Sequence, residues 1–173
     1  STHATLIWNM ISPLTLDAIV ITEPWLNPAS SLDIVTATPD SYKITHRVRN
    51  SKHGGGIAII YKDTLRCTAS TDDSTVIMVH LNFKLQTESE SNIRGTLTYR
   101  LPCPLPGYCN TIFVYIAPLV IYSRHYIFQG HFNFHLDNLN NTHTAILLES
   151  MTTTGLTKPS NNPTPIKVQT PNP

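Results

Sequence analysis

Apolar residues in this chain come in strand-length runs cut short by proline, glycine and polar loops, and this punctuation constrains the fold more than any other feature. Asp17-Ala18-Ile19-Val20-Ile21-Thr22 is an apolar run that leaves through Glu23-Pro24, the pattern of a strand buried on both faces. Tyr42, Ile44 and His46 alternate with polar neighbours as a half-buried strand does. Gly54-Gly55-Gly56 then opens Ile57 to Tyr61, and Lys62-Asp63 turns the chain into Leu65 to Ala69. Val76 to Leu81 and Arg94 to Tyr99 are two more strands, separated by the polar connection Gln86 to Asn92. Helices enter late. One is expected over Asn110 to Ile116, against its β-branched content. After a short buried strand at Tyr126 to Phe128, another runs over His143 to Thr153, capped by Asn141 or Thr142 and closed by Gly155 with Leu156 beyond it. Strands in neighbouring pairs followed by helices predict an α+β sandwich rather than a doubly wound parallel sheet.

The length, 173 residues, suits one domain. It is expected over residues 1–158, with 159–173, which hold five prolines and no apolar period, as an unpacked tail. Charged residues make up 13% of the chain, about half the usual ~25%, so the surface offers little to discourage edge pairing, and self-association is expected, with Val76 to Leu81 as an exposed strand. The formal net charge of +1 gives no long-range field, and any basic patch has to be local. Cys67, Cys103 and Cys109 are an odd set without metal spacing, which predicts reduced thiols with no disulfide partner. No apolar run approaches the ~18–20 residues of a membrane span, and Ser1-Thr2-His3-Ala4 does not open a signal peptide. Together these predict an intracellular protein, nuclear or cytoplasmic, not secreted and with no membrane partner. The missing initiator Met makes the chain read as a piece of something longer.

Two polar clusters follow buried runs: Thr22-Glu23-Pro24-Trp25, and Gly130-His131-Phe132-Asn133 after the strand at Tyr126. Strand ends deliver side chains from a rigid scaffold into one crevice. Leu16 to Leu26, Gly54-Gly55-Gly56-Ile57-Ala58-Ile59, Tyr99-Arg100-Leu101-Pro102, Gly130-His131-Phe132-Asn133-Phe134-His135-Leu136-Asp137, Gly155-Leu156-Thr157 and Pro163-Thr164 follow one another in this order. In that order the chain resembles the apurinic-endonuclease-like endonuclease domain of LINE-type (non-LTR) retrotransposons, within the endonuclease/exonuclease/phosphatase family.

The resemblance implies an α+β, four-layer sandwich of two mixed sheets flanked by helices, incomplete here at both ends. It also implies magnesium-dependent cleavage of a DNA phosphodiester. Glu23 falls on the carboxylate that binds Mg²⁺, Tyr99 on the tyrosine whose hydroxyl contacts the phosphate, and Asn133 on the asparagine that orients it. Glu23 and Asn133 are expected to face one crevice from the ends of adjacent central strands. The copy departs from the pattern where His131 stands in place of an aspartate, where the first strand's asparagine has no match around Asn9, and where the C-terminal Ser-Asp-His motif is missing. It therefore looks truncated and mutated: an impaired endonuclease, or a non-catalytic remnant that binds DNA weakly or has no selected function. Arg47, Arg49 and Lys52, with Lys43, His46 and His53 around them, form the basic cluster that could contact a DNA backbone; a solvated loop is the competing reading. The triple glycine reads as a tight entry into a strand ahead of an anion-binding nest. His125, His131 and His135 are not expected to share a metal, because His125 leads into the strand from its far end.

Overall fold

The computed structural model describes residues 7–9, 11, 16–24, 38–48, 56–70, 78–89, 91–100, 108–131, 140 and 142–157. Strands β1 (Ala18–Thr22), β2 (Tyr42–Arg47) and β3 (Ile57–Lys62) form an antiparallel three-stranded sheet in the order β1-β3-β2. Strands β4 (Arg66–Ser70), β5 (Met78–Gln86), β6 (Asn92–Arg100) and β7 (Tyr126–His131) form a four-stranded sheet in that order, antiparallel except for the parallel pair β6·β7. A parallel neighbour needs a crossover, and helix α1 (Tyr108–Ile121) lies between β6 and β7 in the chain; helix α2 (Thr142–Thr154) follows β7.

The period of two sorts each strand into two faces. Ala18, Ile57, Ile59 and Tyr61 of the first sheet meet Leu81, Phe83, Leu85, Leu97 and Tyr99 of the second in one apolar core. On the other face of β3, Ala58 and Ile60 are also fully buried, so this central strand is covered on both sides, as its unbroken apolar run implies. Helices α1 and α2 pack through Ile112, Phe113, Ile116 and Leu147 with Phe128 of β7, forming a layer outside the four-stranded sheet. The expected α+β sandwich is the observed architecture.

Several boundaries move. β5 reaches Gln86 rather than Leu81, because Leu81, Phe83 and Leu85 continue its buried face. Asn82 to Gln86 are paired on both sides, by β4 and β6, whereas Met78 to Leu81 pair with β6 among the described residues. His80 and Leu81 are nonetheless buried rather than exposed as expected for Val76 to Leu81, of which Val76 and Ile77 lie outside the described residues. Helix α1 passes Ile116 and runs through Pro118 to Ile121. The proline removes one donor, but its own carbonyl still accepts from the Tyr122 amide at 3.1 Å, and burial of Ile112, Phe113 and Ile116 holds the turn. Helix α2 ends as expected in a Schellman motif: Gly155 has φ +75, its amide bonds the Thr152 carbonyl at 3.1 Å, and the Leu156 amide reaches Met151 at 2.9 Å. The tail 159–173 lies outside the described residues.

Candidate active site

Glu23 sits just past the end of β1 with φ +56, a left-handed conformation uncommon outside glycine. Its amide donates to the Gly56 carbonyl at 3.0 Å, which ties it to the start of β3. Gly56 has φ +93, and a Cβ there would stand 2.7 Å from the Arg47 carbonyl oxygen. The glycine entry into β3 is thus a close approach of two strand ends, which favours the tight-entry reading; Gly54 and Gly55 lie outside the described residues.

Across the core, Tyr99 near the end of β6 is 6% exposed, and its hydroxyl donates to the Glu23 carboxylate. This bond joins the two sheets at one end of the sandwich. His131 closes β7 directly beside Tyr99 in the parallel ladder, exposed, with its ring edge-on to the tyrosine at 5.9 Å and 76°. Gly130 is required beneath it, because any Cβ there would overlap the Thr98 carbonyl oxygen. Glu23, Tyr99 and His131 therefore converge from three strands.

Asn133 lies outside the described residues, as do Arg49, Lys52 and His135. β1 and β7 belong to different sheets, each at a sheet edge among the described residues, so the strands behind Glu23 and Asn133 are not adjacent central strands as expected. Arg47 is at the same end as Glu23, since Thr22, Ile57 and Arg47 stand in register across the first sheet. Its guanidinium donates to the His80 carbonyl of β5 at 3.1 Å and so links the sheets. His125 precedes β7 and His131 ends it, which keeps those two histidines apart.

Among the described residues no group of three or more His, Cys, Asp or Glu side chains could hold a metal ion. Magnesium needs less than that: it takes one or two carboxylates and keeps several waters. A carboxylate offers about four lone-pair positions, so the Tyr99 bond leaves Glu23 capacity for a hard cation. Glu23 alone fits the ion; the imidazole of His131 does not.

Behind the site lies a polar layer that the strand patterns hid. His80 and Asn82 of β5 and Thr96 and Thr98 of β6 point away from the core, toward α1. His80 Nδ1 and Thr98 Oγ1 are 2.8 Å apart, and the His80 ring stacks on Tyr115 of α1 at 5.5 Å. Asn82 donates to the Tyr115 hydroxyl, and Thr96 donates to Asn82 Oδ1 at 2.6 Å. Thr96 has one hydroxyl proton, so in its 2.6 Å bond with Tyr126 the tyrosine donates. Burial pushes the Tyr126 hydroxyl above its ordinary pKa, and the Thr96 bond offsets part of this. Polar residues alternating with Leu81, Phe83 and Leu97 were the available signal, but the same alternation marks a solvated face.

No protein-family model matches the chain, and no curated protein matches it. Solved structures do. The endonuclease domain of TRAS1, a telomere-specific non-LTR retrotransposon, superposes with a TM-score of 0.64 at 13% identity, over 88% of this chain and 65% of that one. The AP endonuclease LMAP from Leishmania major gives 0.64 at 12%, over 87% and 61%. TDP2 from C. elegans gives 0.51 at 10%, over 79% and 44%. The chain thus spans less than two thirds of the length of each of these structures. At such identities the likeness speaks for the fold alone, and what these proteins share with this chain is the endonuclease/exonuclease/phosphatase fold.

Proposed function

We propose that the Glu23–Tyr99–His131 end of the sandwich is the phosphate-binding site of a magnesium-dependent DNA endonuclease of the retrotransposon type, impaired in this copy. The observation that carries this reading is the hydrogen bond from a buried tyrosine of one sheet to a carboxylate at the edge of the other. Likeness in fold to the TRAS1 endonuclease domain and to an AP endonuclease supports it.

Glu23 would hold Mg²⁺, which when bound supplies a Lewis acid that polarises a phosphoryl oxygen and neutralises charge developing on it. Tyr99 cannot swing freely, because its ring is packed in the core and its hydroxyl is pinned. It presents that hydroxyl at a fixed position; its single proton goes to Glu23 here, so it donates to a phosphate oxygen by exchanging that acceptor when the carboxylate takes the ion. Asn133, carried from the family pattern, would orient the same phosphate through its amide. His131 stands in the position of the missing aspartate. It brings no fixed negative charge to fix the attacking water or the metal, and loss of a positioned base typically costs ~10²–10⁴-fold. The second reading, a non-catalytic remnant of the same fold, rests on this same substitution. An intracellular location and self-association complete the proposal.

Magnesium-dependent nicking of supercoiled plasmid tests it. The protein is expected to nick barely above a protein-free control, and His131→Asp to raise that rate. Robust nicking by the unmodified protein, abolished by Glu23→Ala, would overturn the impairment. No gain from His131→Asp would favour the remnant.

A further inference from the structure

The outward face of the four-stranded sheet divides in two. One half carries the buried polar layer under α1. The other, toward the β5–β6 turn, is open and cationic. Lys84 and Arg94 are direct cross-strand partners on it. Arg66, opposite Gln86, stands on the same face one row nearer the turn. Arg124 and His125 join from the loop before β7, held there by the bond from the Arg94 amide to the His125 carbonyl at 3.0 Å. Arg66, Arg94, Arg124 and His125 are exposed and Lys84 is half-buried. None of the four lysine and arginine side chains makes an ion pair with a described residue; the described ion pair is Lys62 with Asp17. The described acids nearest in sequence, Asp63 and Glu88, lie in the turns before β4 and after β5.

Like charges directly opposed on a sheet oppose folding, so this ladder is not explained by stability. It does concentrate positive potential in a chain whose net charge is only +1. Just past the end of α1 and two residues before Arg124, Tyr122 is 80% exposed. Cations that match phosphate forks next to a bare aromatic ring are the two elements that bind a single strand: the cations track the backbone while a base stacks on the ring. A lipid surface would use the cations without needing the ring, and a paired duplex offers no free base face.

We propose that Arg66, Lys84, Arg94, Arg124 and Tyr122 form a docking surface for single-stranded nucleic acid, separate from the Glu23–Tyr99 end. Arg94 is five residues from Tyr99, about 16 Å along β6, and on the opposite face of the sheet. The surface holds substrate strand away from the chemistry, and its function is independent of whether that chemistry survives.

The full chain titrated against a fluorescein-labelled 20-nucleotide oligothymidine, by anisotropy over a salt series, tests this. Lys84→Glu with Arg94→Gln is expected to weaken binding at least about tenfold, and to lower the salt slope by about 0.7 for each phosphate no longer neutralised. Tyr122→Ala should weaken it about fivefold with the slope unchanged. Lys84→Glu alone places a carboxylate opposite Arg94, so its thermal midpoint should hold or rise while binding falls, which distinguishes a damaged binding surface from a damaged fold. The titration is run in EDTA, without magnesium, so failure of the proposed nuclease site leaves this surface standing. Equal affinity in the charge-altered proteins would overturn the proposal. So would a Tyr122→Ala protein that binds like the original, or the same residues governing binding to phosphatidylserine vesicles with the oligonucleotide unbound.

Discussion

The two faces of the four-stranded sheet are built from different chemistry. Toward the other sheet, Leu81, Phe83, Leu85, Leu97 and Tyr99 pack with Ile57 and Ile59, and the polar groups sit at the margins: the Tyr99 hydroxyl that reaches Glu23, and Tyr61 and Thr45 beside Cys67. Toward α1, the same strands offer His80, Asn82, Thr96 and Thr98, with Thr96 and Thr98 fully buried. The first interface tolerates any apolar shape of the right volume. The second demands that each donor meet its acceptor, because an unpaired buried group costs more than a made bond contributes. The apolar face supplies stability, whereas the polar face sets the register of α1 on the sheet.

Truncation on the apolar face should have the largest effect. Leu97→Ala removes a fully buried side chain between the sheets and is expected to cost about 2–5 kcal/mol, read from the urea midpoint. On the polar face, Thr96→Val keeps the volume yet removes the donor to the Asn82 oxygen and the acceptor of the Tyr126 hydroxyl, for about 1–3 kcal/mol. A cycle with Tyr126→Phe should show coupling of about 0.5–3 kcal/mol there, while Leu97→Ala with Thr96→Val gives a test of whether the two faces act independently. If Thr96→Val proves neutral, the contrast between the faces collapses.

Alkaline pH gives the smallest effect and samples both faces. Burial holds the Cys67 thiol, at the edge of the apolar core, above its ordinary range, with bonds to Thr45 and Tyr61 pulling the other way. Tyr126 of the polar layer is raised by burial. Lys62 is raised by its 2.8 Å bond to Asp17. All three bind their proton more tightly folded than unfolded, so the stability they contribute is full below their unfolded values, from about pH 8 for the thiol to about pH 10 for the tyrosine and lysine, and is lost as pH rises through their folded values. Urea midpoints at pH 7.5, 9 and 10.5 should fall in that order. Cys67→Ala should flatten the first step and Tyr126→Phe the second.

The strands were legible because their inward residues repeat every two positions, and β3 with its unbroken run was legible as the centre of a sheet. β5 was cut short at Leu81 because Asn82 and Lys84 resemble a solvated face, although Asn82 is paired beneath α1. Helix α1 was cut short because β-branched residues and Pro118 weigh against a helix that tertiary burial of Ile112 and Ile116 sustains. At the site, Glu23 and Tyr99 were legible only through the family pattern. That they meet across two sheets was not, since short apolar runs do not encode which sheet a strand joins. The cationic ladder was hidden for the same reason: Arg66, Lys84, Arg94 and Arg124 are scattered in sequence and become neighbours only through register and the loop before β7.

Glu23 holds a left-handed backbone that glycine would adopt without strain, whereas glutamate does so at a cost of about 1–3 kcal/mol. Folding and chemistry therefore rank the residues at this position in opposite orders. Glycine is the substitution here that relaxes the chain, and it is also the one that removes the carboxylate to which the Tyr99 hydroxyl donates across the two sheets.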